Sequence, residues 1–334
     1  MQSLIIRIFG IVQGVGFRPF VHRLASKLDL LGTVANKGSL VEVALQAKSD
    51  FEQKSKLFLQ DLKKLAPKRS LIMKVTTEPC DLPEFSAFTI IESEKEEGEI
   101  FVSPDIAICE DCAAELMNKD DPRYLHPFIN CTACGPRLSI LEGMPYDRER
   151  TSMRAFPMCQ DCAKEYHDPQ SRRYDAQPVC CNHCGPSLSL TDSQGKPVRA
   201  LADLGAYTDQ AMWPNRAKEL PQQDLPIHLA RAALILGAIV AIKGIGGFHL
   251  ACDARNPRAI AKLRERKHRP SKPFAVMFRN LASVNNVCQV VGKEEELLTG
   301  WQKPIVLLKK REDAALPALL CPENPYLGVL LPYT

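Results

Sequence analysis

Eight cysteines form four C-x2-C pairs near the middle of this 334-residue chain, an arrangement in which thiolates can bind a metal ion. The pairs are Cys109/Cys112, Cys131/Cys134, Cys159/Cys162 and Cys181/Cys184. Eighteen residues separate the first pair from the second, and eighteen separate the third from the fourth, which is the spacing of a four-cysteine zinc site. Four thiolates complete the tetrahedral coordination of zinc and leave no open position, so the sequence predicts two structural zinc ions.

Disulfides and redox-active C-x-x-C pairs are the alternative interpretations of these cysteines. We expect a cytoplasmic location, where thiols stay reduced, because the apolar start of the chain lacks a basic leader and a cleavage site. A redox pair does not account for four pairs in a regular repeat. Whether each repeat binds its own ion or the two repeats interleave their cysteines stays open. The other five cysteines are predicted to be small buried or partly buried hydrophobic residues: Cys80, Cys180, Cys252, Cys288 and Cys321.

A glycine-rich segment near the N-terminus lies between a predicted strand and a predicted helix start. It consists of Gln13, Gly14, Val15, Gly16 and Phe17. Glycines let backbone amides approach an anion, the helix N-terminus adds positive potential, and the following Arg18 can donate two hydrogen bonds to phosphate oxygens. Asn36, on the next predicted strand, could hold an attacking water. The segment alone would also fit an ordinary turn with a surface arginine.

A second glycine loop, followed by basic residues, lies near the other end of the chain. A basic run is commonly a solvated helix end or a nucleic-acid patch, but beside a glycine loop it also fits a pocket for the phosphates of a nucleotide. The nucleotide-binding hypothesis rests on the glycines and cations of this region: Lys243, Gly246, Gly247, Arg266, Lys267, Arg269 and Lys272.

The elements that would position the first loop have the order β-α-β-β-α-β, the ferredoxin-like α+β arrangement, over residues 1–91. A helix is predicted from Pro19, with an apolar face that continues to Leu31 and a stop at Gly32. Ser49 and Glu52 have the spacing of a capping box and predict a second helix. Strands are predicted at Leu4–Phe9, Thr33–Asn36, Leu40–Gln46, Leu71–Thr76 and Ala87–Ile91.

The cysteine pairs belong to an internal repeat that occupies residues 105–190. Beyond the cysteines, Tyr124 and Gly135-Pro136 recur fifty positions later as Tyr174 and Gly185-Pro186. Each copy is too small to bury a core of its own, so metal binding has to replace that core. The Gly-Pro pairs predict turns with unusual backbone angles.

Two segments separate the repeat from its neighbours, and a third domain follows. Residues 92–104 contain the charged run Glu92–Glu99 and are predicted to be a linker, whereas residues 191–225 are predicted to be a polar connection. Residues 226–334 alternate helices and strands in the manner of an α/β domain. This domain is predicted to be incomplete, because the chain stops at Thr334 just after an apolar run. Its predicted elements are helices at Pro226–Gly237 and Pro257–Lys267, and strands at Ala238–Lys243, up to Leu250, at Phe274–Phe278 and at Ile305–Lys309.

The composition excludes few classes of function. Charged residues make up 25% of the chain and the formal net charge is +4, which is too small to indicate nucleic-acid binding. A zinc-dependent nucleic-acid-binding protein is kept as an alternative, although the repeats lack the aromatic side chains of a stacking platform. No stretch approaches the ~20 apolar residues of a membrane span, so we expect no membrane partner. Because the net charge is small, we also expect no nucleic-acid partner.

Two motifs resemble known families. The first, from Gly10 to Arg18, reads GIVQGVGFR and resembles the acylphosphatase signature, which the later Asn36 also fits. The second begins at Lys243, reads KGIGGFHLACDA with RPSKPFAVM further on, and resembles the YrdC-like domain, a twisted open sheet that binds ATP and forms an acyl adenylate. An acylphosphatase-like domain, tandem zinc repeats and a YrdC-like domain in this order resemble the HypF family, the carbamoyltransferases of nickel–iron hydrogenase maturation. The resemblance runs through essentially the whole chain except residues 192–225.

The resemblance implies a relay between domains. Arg18 would bind the phosphate of carbamoyl phosphate and Asn36 would orient the water that hydrolyses it to carbamate. The YrdC-like domain would adenylate carbamate with ATP and Mg²⁺, and a further domain would pass the carbamoyl group to the C-terminal cysteine of the partner HypE, as precursor of the iron cyanide ligands. This chain ends at Thr334, before that further domain, so acylphosphatase activity is the expectation for the chain itself. A stand-alone acylphosphatase with zinc modules, which would not respond to ATP, is the nearest alternative.

Overall fold

The computed structural model describes residues 2–67, 69–91, 103–205, 208 and 225–334. These residues divide into two compact units, Met1–Pro186 and Ser187–Tyr333, and each unit is described by itself. Most of the predicted linker, and a large part of the predicted polar connection, lie outside the described residues.

The first unit opens with a five-stranded sheet. Its strands are β1 (Ser3–Ile11), β2 (Leu31–Lys37), β3 (Leu40–Gln46), β4 (Leu71–Pro79) and β5 (Phe88–Ile90). Their order across the sheet is β4-β1-β3-β2-β5, with β1 antiparallel to both β3 and β4, and β5 parallel to β2. The first four strands have the predicted ferredoxin-like order, and β5 extends the sheet beside β2.

Two helices, α1 (Phe17–Lys27) and α2 (Phe51–Lys64), pack against this sheet. Alternate residues of β1 point to the same face of the sheet, and both Ile6 and Ile8 are fully buried there. Phe58 and Leu62, one helical turn apart on α2, belong to the same apolar core. This core fixes the β1–α1 connection, which carries the glycine-rich segment.

Three details of the first domain differ from the sequence prediction. Helix α1 begins at Phe17, before Pro19, because Gly16 precedes it in the left-handed conformation with φ of 75°. The predicted stop at Gly32 was wrong: this residue lies inside β2, where a Cβ atom would come 1.8 Å from the backbone oxygen of Ala44, so the glycine allows close strand approach. The capping box was also wrong, since Asp50 precedes α2 and no side chain caps the helix.

The two cysteine repeats dock on each other through reciprocal contacts between positions fifty residues apart. Each repeat contains one short helix, α3 (Glu110–Met117) or α4 (Gln160–His167), that begins directly after its first cysteine. Arg123 pairs with Glu165 across the repeats, and the equivalent Arg173 pairs with Glu115. The backbone follows the same rule, because Thr132 N donates to Arg172 O at 3.2 Å and Asn182 N donates to Pro122 O at 3.3 Å. The repeats therefore form a pseudo-symmetric pair.

The second unit contains α5 (Pro226–Ile235) and a hairpin of β6 (Val240–Gly244) and β7 (Gly247–Ala251), followed by helices and a second, three-stranded sheet. The sequence missed three elements here: two helices, Leu281–Asn285 and Lys293–Thr299, and the central strand Tyr326–Leu330, in which Leu327 and Val329 are buried. The remaining elements are α6 (Pro257–Arg266), β8 (Ala275–Met277), α7 (Leu281–Asn285), α8 (Lys293–Thr299), β9 (Val306–Lys309) and β10 (Tyr326–Leu330).

In the three-stranded sheet, β10 pairs parallel with β8 and antiparallel with β9. The mixed α+β architecture predicted from the sequence is confirmed. Among the helices of the described residues, none has the length and apolar character that crossing a membrane requires.

Candidate metal centres and phosphate site

The structure brings together the four cysteines of each repeat. In both groups the four sulfur atoms lie within 4.8 Å of one another. Neighbouring sulfurs are 3.8 Å apart for Cys109 and Cys131, and 3.7 Å apart for both the Cys131–Cys134 and Cys162–Cys184 pairs. Zinc–sulfur bonds of ~2.3 Å in a tetrahedron require sulfurs about 3.8 Å apart, so both groups fit a zinc ion, and each repeat supplies its own set.

Each metal centre receives an arginine from the opposite repeat. Arg172 lies 3.9 Å from the sulfurs of both Cys109 and Cys112, and Arg123 donates to the sulfur of Cys162 at 3.5 Å. Four thiolates around a divalent zinc carry a net negative charge. The guanidinium groups compensate part of this charge, so the reciprocal docking of the repeats also stabilises the two centres.

Glycine is required after the second pair of each repeat for two different reasons. Gly135 has φ of 101°, a left-handed value that disfavours other residues. Gly185 does not have a positive φ, so the prediction of unusual backbone angles holds only for the first repeat. A Cβ atom at Gly185 would lie 2.8 Å from the sulfur of Cys180, and the glycine is therefore needed for space.

The glycine-rich segment wraps one side of a small cavity in the first unit. Gly14 and Gly16 have φ of 70° and 75°, which turns the chain sharply between β1 and α1. Arg18, in the first turn of α1, and Asn36, on β2, both line the cavity and are 7% and 1% exposed. The cavity volume is about 20 Å³. The structure thus brings together the two residues that the acylphosphatase resemblance names.

Two polar groups of this cavity define its chemistry. Gln13 Nε2 donates to Gly38 O at 3.0 Å, and this bond ties the segment to the β2–β3 turn. Among the described residues, Asn36 Oδ1 is buried and has no hydrogen-bond partner. A buried acceptor without a partner is costly, so this atom is suited to receive a hydrogen bond from a water or a ligand in the cavity.

The repeat region closes the cavity over Arg18. Asp147 Oδ1 accepts from Arg18 Nη1 at 2.9 Å, Asp175 Oδ2 lies 3.1 Å from Arg18 Nε, and Tyr146 O accepts from Nη2 at 3.4 Å. Arg137, which is also buried, donates to Gly14 O. The walls of the cavity therefore come from both the ferredoxin-like domain and the repeat region.

The buried ion pairs determine the protonation of the arginine. Burial alone would lower the pKa of the Arg18 guanidinium, but the carboxylates of Asp175 and Asp147 outweigh burial and raise that pKa. Burial raises the pKa of the Asp175 carboxyl, and the charge of Arg18 opposes this shift. Arg18 is a permanent cation in this setting, as binding of a phosphate requires.

The residues of the nucleotide hypothesis lie in two groups in the second unit. Lys243 is exposed on β6, with its ammonium 5.9 Å from the ring centre of Phe248, while Gly246 lies in the β6–β7 turn and Gly247 begins β7. The second group surrounds the end of α6. It comprises Arg266, Lys267, Arg269 and Lys272, and Arg269 Nε donates to Lys272 O at 3.0 Å.

The basic turn after α6 is held by an arginine that the nucleotide hypothesis did not include. Arg264 is 6% exposed and donates to the backbone oxygens of Leu319 and Arg269, both at 2.7 Å. Its guanidinium also stacks 4.7 Å from the ring centre of Phe274. Arg264 therefore shapes the turn, whereas Arg266 and Lys267 remain exposed at the surface.

Models of three known families match successive parts of the chain. The acylphosphatase model matches residues 4–90, the model described as HypF finger matches residues 108–141 and 158–191, and the model of the Sua5, YciO and YrdC proteins, described as telomere recombination, matches residues 232–334.

Two curated relatives match across nearly the whole chain. The carbamoyltransferase HypF of a Synechocystis species is 43% identical over 336 residues, and carbamoyltransferase HypF2 of Cupriavidus necator is 44% identical over 333 residues. The chain belongs to the HypF family. These alignments cover 100% and 98% of the chain but 40% and 38% of the relatives, so the chain spans about two fifths of the length of these HypF proteins.

A solved HypF structure has the same fold. The crystal structure of full-length HypF in the phosphate- and nucleotide-bound form matches all of the chain with a TM-score of 0.86 and 42% identity, and 40% of that HypF chain is covered. The match supports the architecture of both units, each taken by itself.

Sequence reasoning missed Asp147 and Asp175, the two carboxylates that pair with Arg18. A signal for Asp175 was available in the repeat, because its counterpart fifty positions earlier is Leu125. A carboxylate that interrupts an internal repeat points to a role outside the repeated zinc fold. Asp147 lies between the repeated halves and offers no comparable signal. Asp175 lies inside the second segment that matches the HypF finger model, and Asp147 lies between the two matched segments.

Proposed function

We propose that this chain hydrolyses carbamoyl phosphate as the first step of carbamoyl transfer in nickel–iron hydrogenase maturation. The observation that carries the proposal is the convergence of Arg18, Asn36 and the glycine-rich segment on one cavity. The transferred group is proposed to be carbamoyl because the HypF relatives are named carbamoyltransferases. The end point of the proposed relay is the C-terminal cysteine of HypE, within the cytoplasm.

The residues of the cavity suit hydrolysis of an acyl phosphate. Arg18 and the backbone amides of residues 14–17 bind the phosphate oxygens, and the helix N-terminus adds positive potential. Asn36 Oδ1 accepts a hydrogen bond from a water and holds it for attack on phosphorus. The oxygen of this water forms the new bond to phosphorus, the bond between phosphorus and the carbamoyl oxygen breaks, and carbamate leaves with inorganic phosphate as the second product.

The size of the cavity supports a bound water. Its volume of about 20 Å³, beside Arg18, Tyr146 and Pro178, is room for about one water molecule, which Asn36 Oδ1 would hold. Enclosure also suits a product as short-lived as carbamate, because water is kept away from it.

The second unit supports a later, ATP-dependent step. Lys243 and the glycines of the β6–β7 turn, together with the basic turn after α6, provide cations and open backbone for the phosphates of ATP with Mg²⁺. In the proposed step, the carbamate oxygen attacks the α-phosphorus of ATP, and carbamoyl adenylate and pyrophosphate form. The domain boundaries proposed with this scheme are residues 1–91, 105–190 and 226–334, and the middle domain holds two structural zinc ions.

Phosphate release from carbamoyl phosphate tests the first step. The purified chain is compared with Arg18→Ala and Asn36→Ala, and Arg23→Ala serves as control because it removes an exposed arginine from the same helix. We expect both site variants to lose activity by about 100-fold or more, and Arg23→Ala to stay within about twofold of the wild type. Equal release by wild type and Arg18→Ala would refute the proposed site.

A stand-alone acylphosphatase is the second candidate, because every residue that lines the phosphate cavity belongs to the first unit. The two candidates differ in their response to ATP. Conversion of ATP to AMP and pyrophosphate that depends on added carbamoyl phosphate supports the relay. Phosphate release with no consumption of ATP supports the stand-alone activity.

A further inference from the structure

Arg18 is held on two of its three nitrogens by carboxylates that do not belong to its own domain. Asp147 takes Nη1 at 2.9 Å and Asp175 lies 3.1 Å from Nε. The two contacts lie on different edges of the planar guanidinium group. Together they fix both the position and the plane of the group.

Two carboxylates beside a phosphate-binding arginine carry an electrostatic cost. Each negative charge repels an incoming phosphate, and the repulsion is stronger where burial removes part of the screening by water. Asp147 is 16% exposed in its side chain and Asp175 is 11% exposed, so water screens neither charge fully. Because both carboxylates pair with Arg18, they compensate its buried charge and also fix the direction of its guanidinium group.

The carboxylate of Asp175 is itself fixed by the second zinc repeat. Asp175 Oδ1 accepts from Gln177 Nε2 at 2.8 Å and from the hydroxyl of Tyr166 at 3.3 Å. Tyr166 lies on α4, the helix that carries the zinc-ligand candidate Cys162. A chain of contacts therefore runs from the second cysteine cluster through α4 and Asp175 to Arg18.

The backbone turn at Asp175 does not explain the choice of an acidic residue. Asp175 has φ of 56°, and its counterpart Leu125 in the first repeat has φ of 52°. Leucine is poorly suited to this left-handed conformation, yet the turn forms with it. The shared turn is a property of the zinc fold, whereas the carboxylate is specific to the repeat that faces Arg18.

We propose that Asp147 and Asp175 are positioning residues for Arg18, so that the zinc repeats complete the acyl-phosphate site of the ferredoxin-like domain. The proposal rests on the function proposed above. Its consequence is that the guanidinium group is aimed at the transferred phosphate before the substrate arrives, which lowers the reorganisation needed in the transition state.

The test separates turnover from phosphate binding. Asp175→Ala and Asp175→Asn are assayed in the full chain with carbamoyl phosphate and with acetyl phosphate, and inorganic phosphate binding is measured by calorimetry. Asp161→Asn is the control, since it changes an exposed carboxylate on α4 of the same repeat. Zinc content and thermal unfolding confirm that each variant keeps its fold.

We expect kcat of Asp175→Ala to fall on the order of 10-fold to 100-fold, while phosphate binds at least as tightly as in the wild type because one negative charge has gone. Asp175→Asn keeps an oxygen that can accept from Nε and should recover part of kcat. Asp147→Ala should behave in the same way as Asp175→Ala, and Asp161→Asn should match the wild type.

The proposal is overturned if kcat of Asp175→Ala stays at or above the wild-type value, or if phosphate binding is lost together with kcat. Turnover of acetyl phosphate without turnover of carbamoyl phosphate would refute the proposed substrate. The positioning role would then be tested by comparing kcat of the variants and the wild type with acetyl phosphate. Turnover of neither compound by the zinc-loaded wild type would refute both proposals.

Discussion

The glycine-rich segment of the first unit and the glycine hairpin of the second unit have similar compositions but differ in what surrounds them. At Gly16 an added Cβ would lie 2.7 Å from Cγ2 of Thr132, a residue of the first zinc repeat. At Gly246 and Gly247 an added Cβ would meet no heavy atom of the described structure within 4 Å. The first loop is packed against a second domain, and the second loop is open.

This difference shows what a glycine loop with a nearby cation can establish. Around the first loop, the cation is buried, its partners are fixed, and the same cavity is lined by Asn36, whose Oδ1 has no hydrogen-bond partner among the described residues. Around the hairpin, Lys243 contacts only an exposed aromatic ring among the described interactions, and the basic turn after α6 forms a separate group. The same motif therefore lines a cavity in one unit and an open hairpin in the other, and phosphate binding is a proposal for both.

Removal of zinc should have the largest effect, and only on the first loop. Each repeat has a small core made largely of its own cysteines, so it should unfold without metal and release Asp147 and Asp175 from Arg18. We expect acyl-phosphate hydrolysis to fall by roughly 100-fold or more after chelation and to return when zinc is added back. Hydrogen exchange is the second readout: protection should be lost in residues 103–186 and kept in β8, β9 and β10. Activity that survives complete loss of zinc would contradict this view.

A single cysteine substitution should reveal how strongly the two repeats depend on each other. Cys112→Ser removes one ligand of the first centre, and the partner contacts of Arg172 weaken with it. We expect the first zinc to be lost and the affinity of the second centre to fall about 10-fold to 100-fold, the range for loss of supporting contacts around a metal. Zinc stoichiometry and competition with a chromogenic chelator measure both effects.

The control for this experiment is Cys80→Ser, which changes a partly buried cysteine outside both clusters. Cys80→Ser should retain two zinc ions with unchanged affinity. Full affinity of the second centre in Cys112→Ser would show that the reciprocal docking of the repeats does not couple their metal binding.

Matched glycine substitutions compare the two loops directly. Gly16→Ala places a side chain at φ of 75° and against Thr132, so we expect destabilisation of about 1–3 kcal/mol and reduced phosphate release. Gly246→Ala enters open space, and we expect its free energy of unfolding to stay within about 0.5 kcal/mol of the wild type. Urea unfolding of both variants gives the comparison. A large loss of stability in Gly246→Ala would show that the hairpin is packed rather than open.

Local spacing was sufficient to predict the cysteine clusters, the glycine-rich segment and most strands of the first domain. The cysteines lie at fixed separations, and strands such as β3 show their alternation within a few residues. The ion pairs of Arg18 could not be predicted in this way. Asp147 is 129 residues away from Arg18 in the chain, and its role depends on how two domains pack. Gly32 was misread for the same reason, since its function is to let Ala44 of the neighbouring strand approach.

The smallest effect is expected at Lys243, and it decides whether the hairpin is a site at all. Lys243→Ala removes an exposed side chain, so stability and phosphate release should not change. If the hairpin binds the phosphates of ATP, the variant should weaken ATP binding by about fivefold to tenfold, the loss of one exposed charge contact of ~1 kcal/mol. Lys262→Ala, an exposed lysine on α6, should have no effect. Equal ATP affinity in Lys243→Ala and Lys262→Ala would contradict ATP binding at the hairpin. The hairpin would then be an ordinary turn, and among the described residues only the cavity beside Arg18 would remain as a proposed phosphate site.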